Sequence, residues 1–359
     1  LESFSMKKSL IAFAVLGAFA SAASAQSSVV LYGVIDASTS HMTNQSATGG
    51  KKWSLDASNL SSSRWGLKGT EDLGNGLKAN FNLESSLNVD TGTAGNLFDR
   101  NASVGLSGDF GTVNVGRQTN LAYDTLVQVD PLNVAHVGTN PNIALGALNN
   151  VGLFGTHGTS VGVTSPTRQN NSVKYAFPSV LGGINFGAMY GFGEKTGDAS
   201  ASSYMGASAG FSQNGLTAVF SYSQLKDATN SSTLRSYTGG AKFVVNSDFT
   251  VKVTYAENEL NTTGRTISVL GAGVDYAVAP QTTLTAAYYA NRRSGDVKGQ
   301  ADQFVGVAKY ALSKRTSFYG SFSYAKADSK ATKDQELGLF IGAGNKTATR
   351  TTVGVLHSF

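Results

Sequence analysis

Covalent and metal chemistry have little to work with in this chain. It has no cysteine, which removes thiol nucleophiles, thiolate ligands and any disulfide framework. Its four histidines, His41, His136, His157 and His357, are too few and too dispersed to converge on a metal. Serine is abundant, and His357 reads as the one histidine carried on a strand. No catalytic residue, cofactor or metal site is therefore expected. What the sequence does offer is charge on alternating faces. Arg64 and Lys68 share a face opposite Trp65 and Leu67, while Lys78, Asn80, Asn82 and Glu84 share one opposite Ala79, Phe81 and Leu83. Charges so arranged line a wet surface, where they either solvate it or bias which ions pass along it. For a single lysine such as Lys68 both roles stay open.

The elements that carry these faces are strands. In residues 249–255, Phe249, Val251, Val253 and Tyr255 alternate with Thr250, Lys252 and Thr254, which gives one apolar and one wet face. Residues 184–192, 216–222 and 237–245 repeat the pattern. Aromatics fall near the segment ends, as at Tyr175, Phe177, Tyr190, Phe192, Tyr310 and Tyr324, where the two membrane interfaces would place them. The 42 glycines, 14 tyrosines and 19 phenylalanines, against 5 prolines and 14% charge, fit neither an average soluble domain nor a disordered chain. Overall hydropathy is near neutral, as when lipid-facing and lumen-facing residues cancel. A soluble all-β protein would match by composition alone; the periodicity separates the two.

Connections give the strand count. Seven short turn signals lie at 72–76, 109–111, 179–183, 213–215, 246–248, 279–281 and 312–314, each offering Gly, Asn, Asp, Pro or Ser at a reversal. Longer polar stretches lie at 41–52, 88–97, 120–168, 194–203, 226–234, 258–264, 293–300 and 327–346. Fifteen connections imply about sixteen strands, an even number, with short turns on one side and long loops on the other. In lipid an unpaired strand edge is costly, so the first strand (29–38) must pair with the last (349–359). The expected fold is an all-β transmembrane antiparallel β-barrel. The connection 120–168 is too long for an ordinary loop, and a constriction folded into the barrel explains its length, with a surface loop as the alternative.

The N-terminus reads as an export signal. Met6-Lys7-Lys8 starts it, residues 10–20 are apolar, and Ala23-Ser24-Ala25 forms a small-residue cleavage site. The apolar run is about a dozen residues, short of the roughly 20 that a spanning helix needs. Residues 1–25 are thus expected to be an upstream extension (1–5) plus a cleaved signal peptide, and residues 26–359 a single barrel domain beginning at Gln26. Removing Lys7, Lys8 and Glu2 takes the net charge from +5 to +4. The basic residues are scattered among polar strands rather than gathered in a stripe, which argues against nucleic acid as a partner.

From Ser28 to Phe359 the chain resembles the trimeric general porins of Gram-negative outer membranes, in their β-proteobacterial form. The matching stretches include Leu31-Tyr32-Gly33-Val34-Ile35-Asp36, residues 62–74 from Ser62-Ser63-Arg64-Trp65 to Asp72-Leu73-Gly74, and Gly116-Arg117-Gln118. Further matches are residues 168–175, residues 310–316 and Val353-Gly354-Val355 with the closing Phe359. The resemblance implies a sixteen-stranded barrel, a homotrimer in outer-membrane lipid, and a third external loop folded inward to narrow the pore. It places Arg64, Arg100 and Arg168 on the basic wall of the constriction, with Lys68 on the face of Arg64. Asp124 and Asp130 fall at acidic positions of the loop, and Phe359 at the assembly signal.

Two departures from that pattern matter. Pro131-Leu132-Asn133-Val134 stands where a Pro-Glu-Phe-Gly-Gly stretch is usual, so one loop carboxylate is missing. Leu356 and Ser358 stand where basic residues are common, which makes the lumen there less positive. The expected function is passive diffusion of small hydrophilic solutes and ions with a modest preference for anions. The rivals are a substrate-specific channel, a surface adhesin or an outer-membrane enzyme on the same barrel.

Overall fold

The computed structural model describes residues 28–135, 140–148, 151–154, 167–178 and 182–359. The export signal (1–25) and part of the 179–183 turn lie outside these. Eighteen strand segments occur among the described residues. The first nine are β1 (Ser28–Met42), β2 (Lys52–Ala57), β3 (Arg64–Gly74), β4 (Leu77–Asn88), β5 (Thr93–Ala94), β6 (Asn101–Gly108), β7 (Gly111–Thr119), β8 (Arg168–Ala176) and β9 (Ile184–Gly191). The others are β10 (Tyr204–Gln213), β11 (Leu216–Lys226), β12 (Thr233–Val244), β13 (Phe249–Leu260), β14 (Arg265–Ala279), β15 (Thr282–Ser294), β16 (Gly299–Ala311), β17 (Thr316–Ala327) and β18 (Thr347–Ser358).

These make a closed antiparallel barrel of sixteen staves. Two segments add nothing to the ring. β2 and β3 pair in turn with the two halves of β1 and so form one broken stave. β5 only folds back on the end of β4. Closure is a direct seam between β1 and β18, from Val34 opposite Ser358 to Met42 opposite Arg350. Gly33 and Phe359 extend it by exchanging both backbone hydrogen bonds at 3.1 Å, so the first and last strands close the sheet on itself.

Local chemistry accounts for the reversals. Asn75-Gly76 and Asn214-Gly215 both hold two successive positive φ angles, the two-residue turn whose twist matches the strands it joins. Along each stave alternate side chains point outward into lipid, for example Phe220, Phe304 and Phe322, while Ser221, Ser223, Thr238 and Thr254 point in and are buried. The compact apolar core is not in the wall but between the wall and the loops folded against its inner face.

The long loop 120–168 supplies most of that packing. Its first part is a helix, α1 (Leu121–Val129), capped by Asn120, whose side chain accepts from the Tyr123 amide. The apolar side of α1 (Leu121, Ala122, Leu126, Val129) is buried against the inner faces of β11 and β12. Small wall residues make room for the loop. A Cβ at Gly240 would lie 3.0 Å from a Val129 methyl, and one at Gly273 would lie 2.7 Å from Pro131 Cβ. The last long connection also turns inward. Leu337, Phe340 and Ile341 are buried, and Asn291 and Gln303 donate to the Leu337 and Gly338 carbonyls at 3.1 and 2.9 Å.

Contrary to the expectation that only His357 sits on a strand, His41 lies on β1, its ring 4.6 Å from Trp53. His357 faces outward and contacts Thr316 at 2.9 Å. His136 and His157 lie outside the described residues.

Candidate functional site

Charge converges on one part of the inner wall. Arg64 opens β3, Glu84 lies on β4, Arg100 immediately precedes β6, and Arg168 opens β8. Strand pairing sets these neighbours side by side, so residues far apart in sequence line one patch of the lumen with the loop's Tyr123. Glu84 binds Arg100 at 2.7 Å and lies 3.4 Å from Arg64 Nε. It also accepts from the Tyr32 hydroxyl at 3.0 Å. Arg168 donates to the Arg100 carbonyl at 3.2 Å and sits over the Tyr123 ring at 5.4 Å, a contact between cation and ring quadrupole. Three arginines therefore face one carboxylate, and the patch keeps a positive surplus.

Lys68 is on the same face as Arg64, displaced toward the short-turn end. It is exposed, with its ammonium 5.0 Å from the centre of the Tyr32 ring. Arg117 is a nearby basic residue to which the motifs assign no role; it donates to the Asp99 carbonyl and to Asn170 Oδ1.

The two loop acids do not meet the arginines. Asp124 pairs with Lys174 at 2.8 Å and accepts from Thr119 at 2.6 Å, so its charge is matched on β8. Asp130 is 1% exposed and does not line the lumen. Its carboxylate accepts from the Leu132 and Val134 amides and from the Asn140 and Asn142 side chains at 2.8 to 3.0 Å, with Tyr289 at 3.3 Å. Burial raises its pKa, against the pull of those donors. The geometry makes Asp130 the peg on which the loop hangs.

Asn133 occupies the lumen side of the loop. Lys252, 2% exposed and paired with Asp275 at 2.6 Å, donates to Asn133 Oδ1 at 2.6 Å. With its oxygen turned to the wall, the exposed Asn133 offers its amide nitrogen to the lumen. The loop thus presents a neutral donor, where a carboxylate would have balanced the arginines. Phe359 lies on the outer face of the seam with its ring against Gly33, beside the Arg64 carbonyl, and so on the other side of the wall from this patch.

Comparison with known proteins agrees in extent and in kind. The model of the Gram-negative porin family matches residues 12–330. The chain is similar to outer membrane porin protein 32 of Delftia acidovorans, 32% identical over 367 residues, which span 99% of this chain and 100% of that one. It is 36% identical to an outer membrane porin protein of Bordetella pertussis over 219 residues, 56% of this chain and 52% of that one. Among solved structures, the anion-selective porin from Comamonas acidovorans superposes with a TM-score of 0.76 at 27% identity, covering 93% of this chain and 100% of that one.

Proposed function

Since the chain belongs to the Gram-negative porin family and is an outer-membrane β-barrel channel, we propose that it is a homotrimeric, non-enzymatic pore for passive diffusion of small hydrophilic solutes and ions, modestly selective for anions. The observation that carries this reading is the convergence of Arg64, Arg100 and Arg168 on one lumen patch with Glu84 as its acid. Ions crossing there pass well inside the Debye length of about 10 Å at 0.1 M salt, so the local surplus acts on them directly. The name of the Comamonas acidovorans relative supports the same sign. Asp124 serves in this reading to fix α1 to β8, Asp130 to seat the loop 120–168, and Lys68 to extend the basic wall.

For the trimer, the supporting observation is where apolar side chains are barest. Val29, Leu31, Trp53, Leu55, Val104 and Val353 are 58 to 72% exposed and belong to β1, β2, β6 and β18, whereas outward residues such as Phe220 and Phe304 are 51 and 46% exposed. A subunit face on the first and last strands covers them. Residues 1–25 are proposed to be removed on export, leaving Gln26 as the first residue, and Phe359 to be read by the assembly machinery.

The test is reconstitution. Single insertions into a planar bilayer give stepwise conductance proportional to salt, and swelling of proteoliposomes falls smoothly with solute size. Flux that saturates at millimolar concentration for one solute would replace this reading with a substrate-specific channel.

A further inference from the structure

We propose that residues 58–62 form a second jaw of the aperture, opposite loop 120–168, and that the Asp36 carboxylate fixes its position. The broken stave is where this begins. Six residues, 58–63, lie between Ala57 and Arg64, while β1 has only Ile35 and Asp36 between their partners Ala37 and Val34. A β-bulge commonly inserts one extra residue; an excess of four must leave the sheet, and here it turns into the lumen.

A buried clasp holds it there. Asp36, fully buried, accepts from the Leu60 and Ser61 amides at 2.6 and 2.7 Å and from the Tyr319 hydroxyl at 2.6 Å. Its own amide donates to Ser63 Oγ at 2.9 Å, and its carbonyl accepts from Ser58 N at 2.9 Å. Tyr319 belongs to β17, across the barrel seam, so one carboxylate ties the excursion to both sides of the closure. Short bonds to a carboxylate are the stronger kind, and burial shields these from bulk solvent.

The lumen space on the arginine side and the space toward the short turns are both lined by Leu60, Ser61 and Asn133. Passage between them runs past these three side chains. None is charged. The jaw therefore sets width, and the arginines set sign. One link joins the two roles, because Arg64 donates to Ser61 Oγ at 3.3 Å and to the Ser62 carbonyl at 2.7 Å. Asp36 is thus a positioning residue for Arg64 as well as for the jaw.

The jaw rests on the open-channel reading alone, and only its link to Arg64 draws on the anion preference. It is tested in planar bilayers on the full barrel, with heat-modifiable gel mobility confirming assembly of each variant. Leu60→Trp is expected to lower unitary conductance roughly twofold or more while leaving the reversal potential in a salt gradient unchanged. Thr283→Trp, which adds the same bulk to the space near the short turns alone, is expected to change conductance far less. Asp36→Asn and Tyr319→Phe should raise conductance and also reduce the ion preference, by freeing Arg64. If the intact protein conducts but Leu60→Trp has no more effect than Thr283→Trp, the jaw is overturned and the porin reading stands. An intact protein that assembles and does not conduct would overturn both.

Discussion

Glu84 accepts from Arg100 at 2.7 Å, so the acid closest to the basic wall is bound to that wall and does not stand across the lumen from it. The transverse arrangement of opposed charges is accordingly weak here, and the sign of the aperture depends on how many arginines Glu84 leaves unmatched. Glu84→Gln keeps the shape and the acceptor for Tyr32 while removing the charge. The anion-to-cation permeability ratio in this variant should rise roughly two- to threefold near 0.1 M salt and converge on that of the parent as salt screens the wall. An unchanged reversal potential would show that Glu84 carries no weight in selectivity.

Asp130 makes a separate prediction, because its partners belong to the loop and the opposite wall and not to the ladder of the barrel. Asp130→Ala leaves the Leu132 and Val134 amides and the Asn140 and Asn142 side chains without their acceptor. Each buried orphan costs about 1–3 kcal/mol, enough together to unseat the loop. Open-channel current should become noisy and its mean should shift, with the thermal transition of the barrel nearly unmoved. A quiet channel of parental conductance would mean that the loop is held by its apolar face alone.

Much of this architecture is legible locally, and the parts that are not share a cause. Alternation in residues 249–255 and the Asn-Gly pairs at 75–76 and 214–215 are properties of neighbouring residues, and they set strand identity, turn position and the total of sixteen. The seat of the loop depends on partners more than a hundred positions away, such as Asn142 with Thr254 and Asp130 with Tyr289, and no periodicity announces them. Asp130 therefore reads as an aperture acid from its motif position and is in fact an internal peg. The excursion at 58–63 leaves a trace that strand counting passes over: residues 53–72 hold about twice the length of an ordinary stave, interrupted by Ser58-Asn59-Leu60-Ser61-Ser62-Ser63.

Gly273 tests the contact between loop and wall from the other side. A Cβ there would lie 2.7 Å from Pro131 Cβ and 2.9 Å from the Ala286 carbonyl, so Gly273→Val must push the loop toward the lumen. Conductance should drop by roughly half. Gly306→Ala is the matched comparison, since nothing lies within 4 Å of its added carbon, and it should behave as the parent. Equal conductance in both variants would remove the loop from the aperture.

The subunit face is tested by charge. Leu31→Arg and Val104→Arg place a cation on the proposed interface, and detergent-solubilised protein should then run as a folded monomer without heating. Val251→Arg, equally outward but on β13, should keep the trimer. Trimers that survive the first two substitutions, or dissociate only with the third, would move the interface to other strands.

In the proposed pore, three arginines with one bound carboxylate give a positive aperture. The reversal potential of the intact protein across a planar bilayer, under a tenfold potassium chloride gradient at low salt, measures that sign directly. A potential on the chloride side of zero is expected, shrinking as both solutions are concentrated and moving toward potassium in Arg100→Glu. A potential on the potassium side in the intact protein would contradict it.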